Sequence, residues 1–476
     1  MIQSRRSLLR RCLAGLLSLA FLGGAAVAVA QPVARSPTTA APALPAAMPL
    51  TMAEKGQIVA WLNEAPSHGL PAWPAAALDE QGLVKAAVAQ AAALRGRRFD
   101  PGAIDHDWAL VSGGVDLQAE FDSARAEGRF ASWLAASAPS DPGYVALVAA
   151  RRGYAQAAAA GGWAPLDGGQ PLKLDAVDPR VGPLRQRLAA EGFSAPPLAD
   201  ANIFDAPLAA AVKAYQTARG LPGDGVVGAG VIAALNVPAA QRLAVIDANL
   251  ERLRWAPRNL GEPRIEVDVA AADLTVFQPG APPLRMRVVV GDPKHHTPLF
   301  ASKVLAVVFN PPWNVPGSIA AKELWPKEAA TPGYLARSGF SVIDGQLRQA
   351  PGPKSALGYV KIDIVSPFGV YLHDTPSRGV FSRDRRALSH GCVRVQLPRD
   401  LAALLLAPQG WTRQQVEDAI AAGSTRRVAV TAYVPVVLGY RTAVADADGT
   451  VRFRPDVYGW DAELTAAAQR QGAAGR

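Results

Sequence analysis

Cysteine is the residue this chain has least of: Cys12 and Cys392 are the two in 476 residues. So few thiols exclude a disulfide-stapled scaffold and a cysteine-rich zinc ribbon. A strong charge of one sign is also missing. Forty-nine basic residues face 40 acidic ones, and no lysine run interleaved with aromatics is present to track a phosphate backbone, which excludes a nucleic-acid partner. Long hydrophobic runs are confined to the start. Cys12 to Ala30 is an uncharged stretch of 19 residues that follows Arg5, Arg6, Arg10 and Arg11 and ends in A-V-A. That is the anatomy of an export signal, residues 1–30, cleaved before Gln31. An uncleaved anchor is the alternative, since 19 residues just span a bilayer. Gly23, Gly24 and the small-residue end favour cleavage, and the arginine pair Arg5-Arg6 ahead of apolar residues also fits a twin-arginine signal. Loss of the four arginines lowers the formal net charge from +9 to +5. It also leaves Cys392 as the single thiol in an oxidising compartment, where a lone cysteine is either inert and buried or reactive.

What is abundant is hydrophobic, 50% of the residues by type, enough for two or three ordinary cores. Residues 31–50 hold five prolines and six alanines, a composition suited to an extended linker and not to a core. From Thr51 to Leu174, apolar residues recur at helical spacing, as in Leu117, Phe121, Ala124 and Phe130, Trp133, Leu134, which predicts a helical scaffold over 51–174. His68 and His106 stand alone there and read as packing or surface residues. Residues 175–240 show three short helical faces (Leu184, Leu188, Phe193; Leu208, Val212, Tyr215; Val231, Leu235) with turns at Gly192 and Gly220. A linker helix is expected within 241–261. The period then changes to two: Ile265, Val267 and Val269 alternate with Glu266, Asp268 and Ala270, and further strands are expected at 304–309, 360–365 and 369–373. Residues 262–445 therefore form a mainly-β domain. Residues 311–358, rich in Trp, Pro and Gly, read as an insertion folded over it, and 446–476 as a C-terminal tail.

Chemistry concentrates near the end of that domain. Val370-Tyr-Leu-His-Asp-Thr-Pro376 is followed by Leu388-Ser-His-Gly-Cys-Val-Arg-Val395, so two of the six histidines and the remaining cysteine fall within 20 residues. An imidazole that takes the thiol's proton makes it a nucleophile. Gly391 clears a side chain from beside Cys392 for an approaching substrate, and the amides there are candidates to face an oxyanion. If the segment is extended, His390 and Cys392 share a face, as do Tyr371 and His373. Zinc is the competing use of Cys and His. One Cys and two His would still want an open position or a fourth ligand, for which, with no further Cys, His295 and His296 are the only other candidates in this domain. Asp374 completes a tempting Cys-His-Asp set, yet adjacent residues of a strand point to opposite faces, so its carboxylate is badly placed to reach the ring of His373.

Two stretches resemble known families. Leu208 to Leu221, with Asp224-Gly-Val-Val-Gly228 and Ala233 to Asn236, resembles a peptidoglycan-binding module, with Val231 where a threonine is usual. His373, a spacer of 15 residues and Ser389-His390-Gly391-Cys392 resemble the signature of YkuD-like L,D-transpeptidases. Arg394, in place of the Asn of shorter members, matches the larger members, as do Asn249 to Arg252, Met286 to Gly291, Asn310 to Pro316 and Phe453 to Tyr458. The resemblance implies a multidomain protein: a helical scaffold, a small three-helix peptidoglycan-binding-like module, and a β-sandwich catalytic domain carrying an inserted cap. It also implies acyl transfer in the periplasm on peptidoglycan stem peptides, without cofactor or metal. Cys392 attacks a diaminopimelate carbonyl, expels D-Ala and forms a thioester that a second stem resolves. His373 is the base, oriented by a backbone carbonyl. Gly391, Cys392 and Tyr371 hold the oxyanion, while His390, Arg394 and Ser389 shape the site. Hydrolysis of the same thioester gives a carboxypeptidase, and a wall-binding scaffold is the non-enzymatic reading. Other wall-synthesis enzymes are conceivable partners, and the oligomeric state is open.

Overall fold

The computed structural model describes residues 49–110 and 113–474. The expected signal at 1–30 and nearly all of the linker at 31–50 lie outside the described residues. The helical region begins with a capping box: Thr51 Oγ1 accepts from the Glu54 amide at 3.2 Å and the Glu54 carboxylate accepts from the Thr51 amide at 2.7 Å, starting the helix Met52–Asn63. Asp79, Asp116 and Asp141 cap the helices Glu80–Leu94, Leu117–Ala126 and Pro142–Ala159 by accepting from first-turn amides, without the reciprocal bond. These helices do not share one core. Ile58, Leu62, Leu83, Phe121 and Trp133 pack together, whereas Tyr144, Leu147 and Tyr154 of the last helix pack on Ile246 and Leu250 of the helix Ala239–Trp255.

Residues 175–240 hold the helices Val181–Ala189, Ala206–Ala218 and Ala229–Leu235 around Leu184, Leu188, Val212, Tyr215 and Leu235. Gly225 takes φ +79° in the loop, and Asp224 accepts from the Val226 amide at 2.9 Å and from Gln216 Nε2 at 2.7 Å.

The β domain is a sandwich whose layers share two 11-residue strands. The N-terminal part of Ala281–Gly291 pairs with Asp273–Gln278, and its end pairs with Val393–Val395. Leu299–Phe309 likewise pairs first with Pro435–Gly439 and then with Val360–Ile364. Inward residues of both layers, among them Ile265, Val267, Leu274, Val288, Val307, Ile362, Leu372 and Val393, fill one core.

Two features depart from the sequence reading. Trp108–Ala109, inside the helical region, pairs in parallel with Leu299 and Phe300, so that region donates a strand to the sheet of the β domain. Residues 446–474 are not a trailing tail: Val451–Phe453 forms a hairpin with Ala443–Ala445, and the helix Trp460–Ala474 seats Trp460 edge-on to Trp108, their centroids 5.6 Å apart. Two-residue strands are too short to show a period, and hydrophobic burial through distant partners leaves no local pattern.

The cap has its own small core of Val315, Ala320, Leu324, Leu335, Phe340 and Leu347. It is built from the strands Trp313–Asn314, Phe340–Ile343 and Gln346–Gln349 and from short helical turns, one of them the π-helical turn Ala320–Leu324.

Candidate active site

The strand Leu372–His373 lies between two neighbours: Leu372 pairs with Val393 and His373 with Arg394 in parallel, and His373 with Lys361 in antiparallel register. This pairing joins the two motifs that are separate in sequence. The Val393 amide donates to the Tyr371 carbonyl at 3.1 Å, which brings Cys392 alongside Tyr371. The ladder is shorter than the expected 369–373, but the rings of Tyr371 and His373 still share a side, 5.6 Å apart.

His373 is buried, and its Nδ1 lies 2.6 Å from the Asp374 carbonyl oxygen. A ring nitrogen facing a carbonyl carries the proton, so Nε2 is left as the acceptor. The Asp374 carboxylate points elsewhere: it accepts from the amides of Tyr359 (3.0 Å) and Thr375 (2.7 Å) and from Arg378 (3.0 Å). Burial, then the charge of Arg394, pushes the imidazole down to about 3, partly opposed by the bond to the Asp374 carbonyl. Cys392 is half-buried. Burial pushes its thiol up, while the Tyr371 amide and hydroxyl and the charges of Lys361 and Arg394 pull it down. The resting pair is thus a neutral thiol and a neutral imidazole. Arg394 is itself half-buried, and among the described residues it has no ion pair.

Ser389 to Cys392 is a bend and not an extended segment, because Gly391 sits at φ +103°. The two-apart rule therefore fails here, and His390 and Cys392 have separate neighbours. His390 Nε2 lies 2.5 Å from Glu323 of the cap and its ring 4.7 Å from that of His295. Ser389 closes the bend: its hydroxyl donates to the Cys392 carbonyl at 2.6 Å and accepts from the Gly391 amide at 3.2 Å. That occupies the Gly391 amide expected to face an oxyanion. Among the described residues the Cys392 amide has no partner, so it and the Tyr371 hydroxyl are the donors at hand. Glycine at 391 also serves a different end from the one expected. A Cβ there would meet the His296 carbonyl at 3.0 Å, so the close approach is to the protein's own backbone.

That backbone is a support the sequence reading missed. Thr297 Oγ1 donates to the Gly391 carbonyl at 2.7 Å and accepts from the Gly291 amide at 2.8 Å. The Tyr458 hydroxyl donates to the Gly291 carbonyl at 2.6 Å, and a Cβ on Gly291 would stand 2.0 Å from the His295 carbonyl. A strand ending in Gly291 a few residues before Thr297 was the available signal. His295 and His296 diverge, the first to Asp292 at 3.0 Å and the second to Asp107 at 3.1 Å and the face of Tyr458, so they do not converge on Cys392 as metal ligands. Among the described residues, Asp105, His106 and Asp107 alone bring three ligating atoms within 4.8 Å of one another. His106 is exposed, and the aspartates already serve Trp460 Nε1 and His296.

Residues 262–425, which contain this bend, match the family of the L,D-transpeptidase catalytic domain. Residues 177–235 match a family described as "Putative peptidoglycan binding domain", and 56–150 one described as "Scaffold domain". A Haemophilus influenzae protein named "Putative L,D-transpeptidase" is 36% identical over 248 residues, 48% of this chain. The chain spans about half the length of that relative, 49%. Among solved structures, an L,D-transpeptidase from Xylanimonas cellulosilytica is 16% identical, covering 57% of this chain and 98% of its own, with a TM-score of 0.18. L,D-transpeptidase 3 from Mycobacterium tuberculosis is 17% identical, covering 37% and 59%, with a TM-score of 0.19. The likeness to an L,D-transpeptidase catalytic domain thus rests on the sequence family over residues 262–425, beside the separate matches of 177–235 and 56–150.

Proposed function

We propose that this protein is a periplasmic, cysteine-dependent L,D-transpeptidase that joins diaminopimelate residues of two peptidoglycan stems. The observation that carries the reading is the fixed tautomer of His373. With Nδ1 held by the Asp374 carbonyl, Nε2 is a proton acceptor on the strand paired with the Cys392 segment. Cys392 passes its proton to His373 as sulfur attacks the diaminopimelate carbonyl. The carbon–nitrogen bond to D-Ala then breaks, and D-Ala leaves with that proton as a free amino acid. The thioester keeps the energy of the donor amide until an amine resolves it. The positive charges of Arg394 and Lys361 favour the sulfur anion and the oxyanion over their neutral forms.

Incubating the purified protein with disaccharide-tetrapeptides tests the reading. Cross-linked dimers with a diaminopimelate-diaminopimelate bond are expected together with free D-Ala. Tripeptide monomers alone would make it a carboxypeptidase.

A further inference from the structure

We propose that Asp107, in the stretch that matches a scaffold family, is a positioning residue for acyl transfer: through His296 it holds the peptide against which the Gly391–Cys392 bend is set, and so aims the Cys392 amide at the oxyanion. This rests on the reading of Cys392 as the acylated nucleophile and gives the helical region a part in the reaction.

The contacts start in a tight turn of the helical region. Asp105 accepts from the Asp107 amide at 2.8 Å and from Trp460 Nε1 at 2.7 Å, so the turn is tied to itself and to the C-terminal helix. The Asp107 carbonyl accepts from the Leu299 amide at 2.8 Å where Trp108–Ala109 joins the sheet, which places the Asp107 side chain beside His296. Its carboxylate lies 3.1 Å from His296 Nδ1, the ring nitrogen that donates to it. The same ring is stacked on Tyr458 at 4.4 Å and meets Trp460 edge-on at 5.1 Å. So held, His296 presents its carbonyl to the bend, where a Cβ on Gly391 would press on it at 3.0 Å.

The planarity of one peptide then carries the effect to the nucleophile. The Gly391 carbonyl and the Cys392 amide belong to the same trans peptide, in which the two groups point in opposite directions. Thr297, the residue after His296, donates its hydroxyl to that carbonyl at 2.7 Å. With the carbonyl pinned toward Thr297, the Cys392 N–H faces the other way, where among the described residues it has no partner. A shift of the backbone at 296–297 therefore rotates the oxyanion donor, and a donor turned off its line weakens steeply.

Attachment of the helical region does not need Asp107. Trp108, fully buried with its ring 5.4 Å from that of Trp255 and 5.6 Å from that of Trp460, carries it. Among the described residues the Asp107 carboxylate bonds across that junction to His296 alone.

The test compares two reactions of the same sulfur in the full chain. Acylation by a chromogenic β-lactam develops an oxyanion, whereas alkylation by iodoacetamide forms a carbon–sulfur bond, expels iodide and develops none. Asp107→Ala is expected to lower the rate of acylation relative to alkylation about tenfold, part of the ~10²–10³ that loss of a whole oxyanion donor costs. Asp107→Asn, whose amide oxygen still accepts from Nδ1, should restore most of it. His296→Phe keeps the stack on Tyr458 but has no nitrogen to bind Asp107. It should match Asp107→Ala, and the two together should lose no more than either alone. It also carries the test if Asp107→Ala does not fold. An unchanged ratio in either folded variant overturns the proposal, and so does an equal fall of both rates, which marks a residue of the fold only. Losses that multiply in the double variant overturn the path through His296. An unsubstituted protein that is alkylated at Cys392 but never acylated refutes the acyl-transfer reading itself, and this proposal with it.

Discussion

The three-helix module and the bend at Cys392 lie in stretches that match two different families, and they spend their polar groups in different ways. In the module a network of ion pairs and amide bonds ties many of them into the structure, although among the described residues Tyr215 Oη and Arg185 Nε are buried without a hydrogen-bond partner. Arg185 pairs with Asp205 at 2.9 Å, and Gln216 donates to Asp224 at 2.7 Å and accepts from the Gly225 amide at 2.8 Å. The buried Glu191 is held by Arg187 at 2.7 Å and by Arg219, which also reaches the carbonyl of Val451. Around the bend, by contrast, the His373 Nε2 acceptor, the Arg394 guanidinium and the Cys392 amide are left over. Polar groups that a fold does not employ are the ones available to a substrate.

The sharpest way to break this contrast is at sulfur. Cys392→Ser should abolish turnover and the mass adduct with a carbapenem, and an adduct that survives would place the nucleophile elsewhere. At the next level, His373→Ala should slow acylation by a chromogenic β-lactam by ~10²–10⁴, the usual worth of general-base assistance. Asp374→Ala should keep most of that rate, because the main-chain carbonyl remains. It should nonetheless lower thermal stability by roughly 1–3 kcal/mol, since the amides of Tyr359 and Thr375 lose their acceptor. Equal losses of rate in the two variants would refute the assignment of the carbonyl.

Acidity offers a gentler probe. His373 sits at about 3 when folded, against 6.5 ordinarily, so between those values the unfolded chain takes a proton that the folded one refuses. Its contribution to stability is therefore full above 6.5 and falls as the pH drops toward 3. Acylation should show no step at the ordinary histidine value and should rise on the alkaline side, where the raised Cys392 thiol ionises. A clear inflection near 6.5 that His373→Ala removes would contradict this. The smallest effect on catalysis belongs to the module. Gln216→Ala leaves the Gly225 amide without its acceptor and should cost about 1–3 kcal/mol in a melting experiment, with acylation unchanged.

Much of this was legible in the order of residues. Period-two alternation marked Arg264–Asp268, helical spacing marked the module, and the histidine and the Ser-His-Gly-Cys run marked the place of the chemistry. The rule that neighbours on a strand face apart also kept Asp374 away from the imidazole. The same rule misjudged Ser389 to Cys392, because one glycine at positive φ turns the chain and sends His390 to the cap. No short-range pattern announces such a turn, which is fixed by Thr297 and by the His296 carbonyl, both about a hundred positions away in the chain.

What the sequence by itself determined is therefore local: which segments bury which face, where the thiol and the imidazole stand, and that the Asp374 carboxylate turns away from the ring. Tertiary structure alone decided what depends on distant partners. It assigned Trp108–Ala109 to the sheet of the β domain, Trp460 to the core, Tyr458 to the support of the bend, and Glu323 to His390. The physical reason is that periodicity and turn chemistry act over a few residues, whereas packing and hydrogen bonding bring together groups whose separation along the chain carries no signal.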